Sequence, residues 1–326
     1  MTRVRTLAVA SLLPLLALPL TTAPAAGDDS SGDDPAKGVS RAASLAVLRA
    51  GTMVGSSFVS APKAVPERAQ AATINVSYSG FSQSARAAFQ RAVNTWEPLL
   101  ASSVPITVAA TFEPSSPGNL GSAGPSFIWR DFRNAPQPNT WYVDAIANKR
   151  AGRQLDPAAD IVAKFNSSRS DWYFGTGAPP NNRYDFESVV LHELGHGLGF
   201  LGLATVSSGQ GSIRVSGFPS GYDRFTENGG GTRLTTFADP STQLANQLTS
   251  NSVFFDSPKV RNANGGKTAR LYAPASWQQG SSYSHLNETT YGPGNRNSLM
   301  TPFLNDAEAI RTPGPIVRAV FGSTGW

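Results

Sequence analysis

The chain has 326 residues, 40% of them hydrophobic, with 27 Lys and Arg against 22 Asp and Glu and no cysteine. The missing thiols exclude a disulfide framework and a cysteine-borne lipid anchor. The formal charge of +5 shrinks to 20 basic against 17 acidic residues over 73–326, because Arg3, Arg5 and five residues of each sign lie earlier. With no basic cluster beside stacked aromatics, nucleic-acid binding is not expected.

The chain opens on a basic Met1-Thr2-Arg3-Val4-Arg5, an apolar stretch from Leu7 to Leu20 and Ala23-Pro24-Ala25. That order predicts a secretory signal over 1–26 and hence export. The apolar run is shorter than the ~20 residues a membrane span needs, and no later segment is longer, so no membrane anchor is expected. Residues 27–72 begin with Asp28-Asp29-Ser30-Ser31-Gly32-Asp33-Asp34 and continue rich in Ala, Ser and Pro. They are read as a pro-segment or flexible spacer, with Ala42–Leu48 able to form a short helix.

The remaining 73–326 is long enough for one domain with a sizeable core. Thr73–Tyr78 alternates as a strand does, and Ser82–Trp96 reads as a helix burying Ala85, Phe89, Ala92, Val93 and Trp96. Pro98 should end that helix. Pro105–Phe112 is a second strand, Ser126–Phe132 and Thr140–Ala147 read as extended, and Ala159–Asn166 is a further strand. A helix comes next, with Asp185 as its N-cap. This order predicts an α+β fold: a mixed, twisted sheet with two long helices behind it. Residues 203–283, with glycine-marked loops and short strands near Ser252–Phe255 and Thr268–Tyr272, read as a β-rich insertion. The chain closes in a helix before Gly325-Trp326.

The chemistry concentrates in the second helix, which carries His192-Glu193-Leu194-Gly195-His196, two of the three histidines in the chain. Residues four apart share a helix face, so both imidazoles can reach one ion at about 2.0–2.1 Å. At about 100° per residue, Glu193 falls beside that pair, where a general base belongs. Val190, Leu194 and Leu198 fall opposite, facing a core. From the His and Glu content of the chain, an accidental H-E-x-x-H is on the order of one in a thousand. Gly199, three residues after His196, suits a helix ended at positive φ. A third ligand must come from farther along; His285 is the remaining histidine, with Glu288 and Asp223 as rivals.

H-E-x-x-H-x-x-G resembles the metzincin signature, except that Gly202 stands where that pattern places its third ligand. His285 after a long insertion, then Leu299-Met300-Thr301-Pro302 and a terminal helix, resemble the leishmanolysin-like branch of metzincins and its secreted bacterial relatives. The resemblance covers roughly 73–326 and implies a two-lobed zinc endopeptidase. It implies one catalytic Zn2+ on His192, His196 and His285, Glu193 as catalytic base, and Met300 as a Met-turn residue packed beneath the metal. It also implies that Ala159–Asn166 is the edge strand that pairs with substrate and that Thr301–Leu304 walls the specificity pocket. Phe303 stands where some members carry a ligating Tyr, so no Tyr ligand is expected. The expected partner is a protein or peptide substrate, and the expected state a monomer; a structural Ca2+ is left open. Two other readings stand beside this one: a zinc hydrolase of another clan using Glu288 or Asp223, and a non-catalytic secreted binding protein.

Overall fold

The computed structural model describes residues 38–41, 45–53, 55–61 and 70–326. The signal expected over 1–26 lies outside the described residues, as does the remainder of 27–72. Among the described residues are seven α-helices around a six-stranded mixed sheet, and no helix is long and apolar enough to cross a membrane.

The first elements are short strands β1 (Gly38–Arg41), β2 (Ala46–Ala50) and β3 (Ser57–Val59). Next come β4 (Ile74–Ser79), helix α1 (Gln83–Trp96) and β5 (Ile106–Glu113). Ser82 caps α1 through a bond from the Ala85 amide, and the expected stripe from Ala85 to Trp96 is buried. The α-helix stops at Trp96. Pro98 lies just beyond, in the short 3-10 turn Glu97–Leu99, because its ring is tolerated at the start of a helical turn but not inside α1. Strands β6 (Asn119–Pro125), β7 (Phe127–Arg130) and β8 (Tyr142–Val143) lead into α2 (Asp144–Ala151), then β9 (Ile161–Asn166) and α3 (Phe186–Gly197).

The main sheet runs from the Phe303–Leu304 strand through β2, β6, β9 and β5 to β4. β4, β5 and β9 are parallel, whereas β6 runs antiparallel to β9. α1 and α3 share the core on one face. The Trp96 indole donates to the Leu191 carbonyl at 3.0 Å across them, and Phe81, Phe89, Phe165 and Phe186 meet mainly edge-on between helices and sheet.

Three expectations need correction. β9 is an interior strand, so Ala159–Asn166 is not the edge; the antiparallel neighbour beside α3 is β6. Its sequence, Asn-Leu-Gly-Ser-Ala-Gly-Pro, reads as a turn, yet its small residues are what fit between α3 and the adjoining strands. Ala46–Leu48 is strand rather than helix, because its pairing comes from distant residues of β6 and Phe303–Leu304. Only Tyr142–Val143 of the 140–147 stretch is extended; α2 begins at Asp144 and closes at Gly152 with φ 74°. The insertion carries strands at Val253–Phe255 and Ala269–Arg270, within the expected segments, together with helices Thr242–Leu248 and Pro258–Ala263, each capped by a serine.

The start of α3 is anchored electrostatically. Asp185 accepts from the Ser188 amide at 2.8 Å and is paired with Arg311, whose Nε also lies 3.3 Å from Glu187. Glu187 is bound from the other side by Arg91. Asp185 is fully buried and Arg311 only 7% exposed, so removing the cation strands a carboxylate in a poorly solvating interior. Arg311→Met should therefore cost about 3–5 kcal/mol, read as a lower urea midpoint with unchanged slope; a loss under about 1 kcal/mol would show the pair to be dispensable.

Candidate metal centre

α3 presents its histidines on consecutive turns, and the third arrives from the far end of the insertion. His192, His196 and His285 are at most 1% exposed. Their Nε2 atoms lie 2.9 Å (192–196), 3.1 Å (196–285) and 3.2 Å (192–285) apart. Among the described residues these three form the one group of His, Asp and Glu side chains close enough to hold a metal ion.

The other ring nitrogens decide the protonation. His192 Nδ1 meets the Leu299 carbonyl at 2.5 Å, His196 Nδ1 the Phe200 carbonyl at 2.8 Å, and His285 Nδ1 the Ser281 carbonyl at 2.7 Å. A carbonyl only accepts, so each Nδ1 carries the hydrogen and each neutral ring is left with a lone pair on Nε2. Burial keeps the rings neutral: it holds His192 down at about 4, and His196 and His285 well below the ordinary imidazole value. Three inward lone pairs about 3 Å apart repel one another unless a cation sits among them. Tetrahedral bonds of about 2.0–2.1 Å would put such nitrogens roughly 3.3 Å apart, close to the spacing observed. The donor set fits a divalent transition metal.

Local backbone explains the aim of each ring. Gly199 adopts φ 115°, a conformation costly for other residues, and the chain turns so that Phe200 offers its carbonyl back to His196. The turn Ser298–Met300 gives Leu299 O to His192, while Met300 O accepts from the Leu286 amide at 2.7 Å. Met300 is fully buried and packs its sulfur on α3 at Gly195, where an added Cβ would stand 2.8 Å from Sδ. None of these carbonyl partners has a side-chain signature, so only the glycine and the methionine left a trace in the sequence.

Glu193 is fully buried next to this trio. Its Oε1 accepts from the Leu48 amide at 3.3 Å, while Oε2 has no protein partner. Burial pushes its carboxyl well above the usual range, and amides of Leu48 and Ala123 counter part of that. The rival ligands sit elsewhere. Asp223 bonds the Leu203 and Ser220 amides and the Tyr283 hydroxyl at 2.9–3.1 Å. Glu288 lies outside the histidine group, on the short helix Glu288–Tyr291, where burial raises its carboxyl to about 7. Gly202 leaves no room for a ligand, since a Cβ there would lie 2.1 Å from the Tyr283 ring.

Low imidazole values carry a stability consequence in the metal-free protein. Below about 6.5 the unfolded chain binds protons that the folded rings refuse, so stability falls as pH drops from there toward about 4 for His192. Each ring contributes up to about 1.4 kcal/mol per pH unit in that window. Buried Asp144 and Asp223, raised to about 7 and about 6, act with the opposite sign, so the clean observable is a difference. His192→Gln should flatten the pH dependence of melting between 6.5 and 4 by about one proton; an unchanged slope would place that ring in solvent.

No protein-family model, no curated protein and no solved structure matches this chain.

Proposed function

We propose that the chain is an exported zinc-dependent endopeptidase of the metzincin type, its two lobes meeting at the three histidines. The observation that carries this reading is the convergence of three neutral imidazoles beside one buried carboxylate. A chain turn ending in Met300 under the helix and an antiparallel strand, β6, alongside it add support. Zinc held there would supply a Lewis acid that polarises a scissile carbonyl and draws the pKa of water toward about 7.

The protein groups do the rest. Neutral ligands leave the positive field of the ion uncancelled, and the carbonyls of Phe200, Ser281 and Leu299 keep each ring oriented and its lone pair free. Glu193 takes a proton from the attacking water and passes it to the leaving amine. Burial raises its proton affinity, which suits a group that must accept and return a proton in one cycle.

The test is metal content together with cleavage of an unfolded protein substrate by the zinc-loaded protein, with residues 46–50 in place and displaced. One zinc per chain and cleavage abolished by a chelator support the reading. Cleavage indifferent to chelation, or a chain that binds no zinc, overturns it.

A further inference from the structure

The active-site helix is buried along its whole length, ligand face included: every residue from Phe186 to Gly197 is shielded. A hydrolytic centre must admit substrate, so what covers it matters. The cover is β2. It pairs antiparallel with β6, with Leu48 opposite Gly121, and parallel with the 303–304 strand, with Arg49 opposite Phe303. The Arg49 amide donates to Pro302 at 3.1 Å and the Gly51 amide to Leu304 at 2.7 Å. Neighbouring strands lie about 4.8 Å apart. Without β2, two strand edges would face each other across a slot roughly 9–10 Å wide, the width of one extended chain.

The same segment touches the chemical groups. The Leu48 amide bonds the Glu193 carboxylate. The Val47 amide bonds the Gly280 carbonyl at 2.9 Å, and Arg49 Nε reaches Ser281 Oγ at 3.3 Å. Ser281 is the residue whose carbonyl holds His285. Just beyond β2 the chain leaves the core: Met53 and Phe58, at 54% and 45%, are the two exposed large hydrophobics among the described residues.

We propose that the groove between β6 and the 303–304 strand is a cleft for an extended peptide, and that residues 46–50 fill it as a built-in occupant that keeps the centre closed. This rests on the peptidase reading for its purpose, but not for its geometry. An incoming peptide would take the two rows of backbone partners that β2 now holds, so β2 must leave before substrate can enter.

The experiment uses the full zinc-loaded chain, Leu48→Asp in the same chain, and a full chain carrying a site-specific protease sequence in the exposed connection after Gly51, cut only after folding. The cut form guards against a substitution that merely unfolds the protein. Two readouts are taken: the rate at which dipicolinate strips zinc, and hydrolysis of a quenched peptide library. Stripping at least about 10-fold faster in the Leu48→Asp and cut forms, slowed again by a synthetic peptide of residues 45–51, supports the occluding role. Equal stripping and equal hydrolysis in all three forms overturn it. Faster stripping with no hydrolysis in any form supports the occluding strand and counts against the peptidase reading instead.

Discussion

Removing His285 is expected to destroy the metal centre while leaving the fold. In His285→Ala, the remaining pair on α3 offers two nitrogens from one element, and zinc sites rarely hold with fewer than three protein ligands. Losing an outer partner of a ligand typically lowers affinity about 10–100-fold, and losing the ligand itself should exceed that. Competition with a chromophoric chelator measures the change, and circular dichroism checks that the chain is still folded. Full retention of zinc would assign the third ligand elsewhere. Asp223 is a poor substitute, being committed to Tyr283 and the Leu203 and Ser220 amides, and Glu288 lies outside the group of side chains close enough to share an ion.

Glu193→Gln should separate binding from chemistry. The amide is isosteric, and its oxygen can still accept from Leu48, so packing around α3 should hold. What disappears is a group able to take a proton. Turnover should fall about 10²–10⁴-fold at unchanged zinc stoichiometry, measured on protein with β2 displaced so that occlusion does not mask the result. Undiminished cleavage would remove Glu193 from the reaction. Loss of zinc along with activity would make it a structural prop instead.

Elements whose burial pattern is self-contained were legible in the sequence. α1 shows its stripe from Ala85 to Trp96, β4 and β5 alternate, and α3 announces itself through Asp185 and the paired histidines. The third histidine stood as one candidate beside Glu288 and Asp223, favoured because the chain has only three histidines and by the family resemblance. β6 was hidden because two glycines and a proline look like a turn when the helix pressing on them is unseen. β2 was hidden for a related reason: Ala-Val-Leu-Arg-Ala favours a helix locally, and strands about 70 residues or more away override that preference. Arg311 gave no hint of its partner, because a buried ion pair across 126 residues leaves no local pattern.

The imidazoles are aimed by peptide oxygens at 200, 281 and 299. Every amino acid carries such an oxygen, so Phe, Ser and Leu at those sites could be exchanged for others without disturbing the orientation, provided the main chain keeps its path. The alphabet that such a centre must preserve is short: three histidines, one glutamate, a methionine and a few glycines. Two chains sharing this chemistry could thus drift apart in nearly every other letter while their reactive cores stayed superimposable.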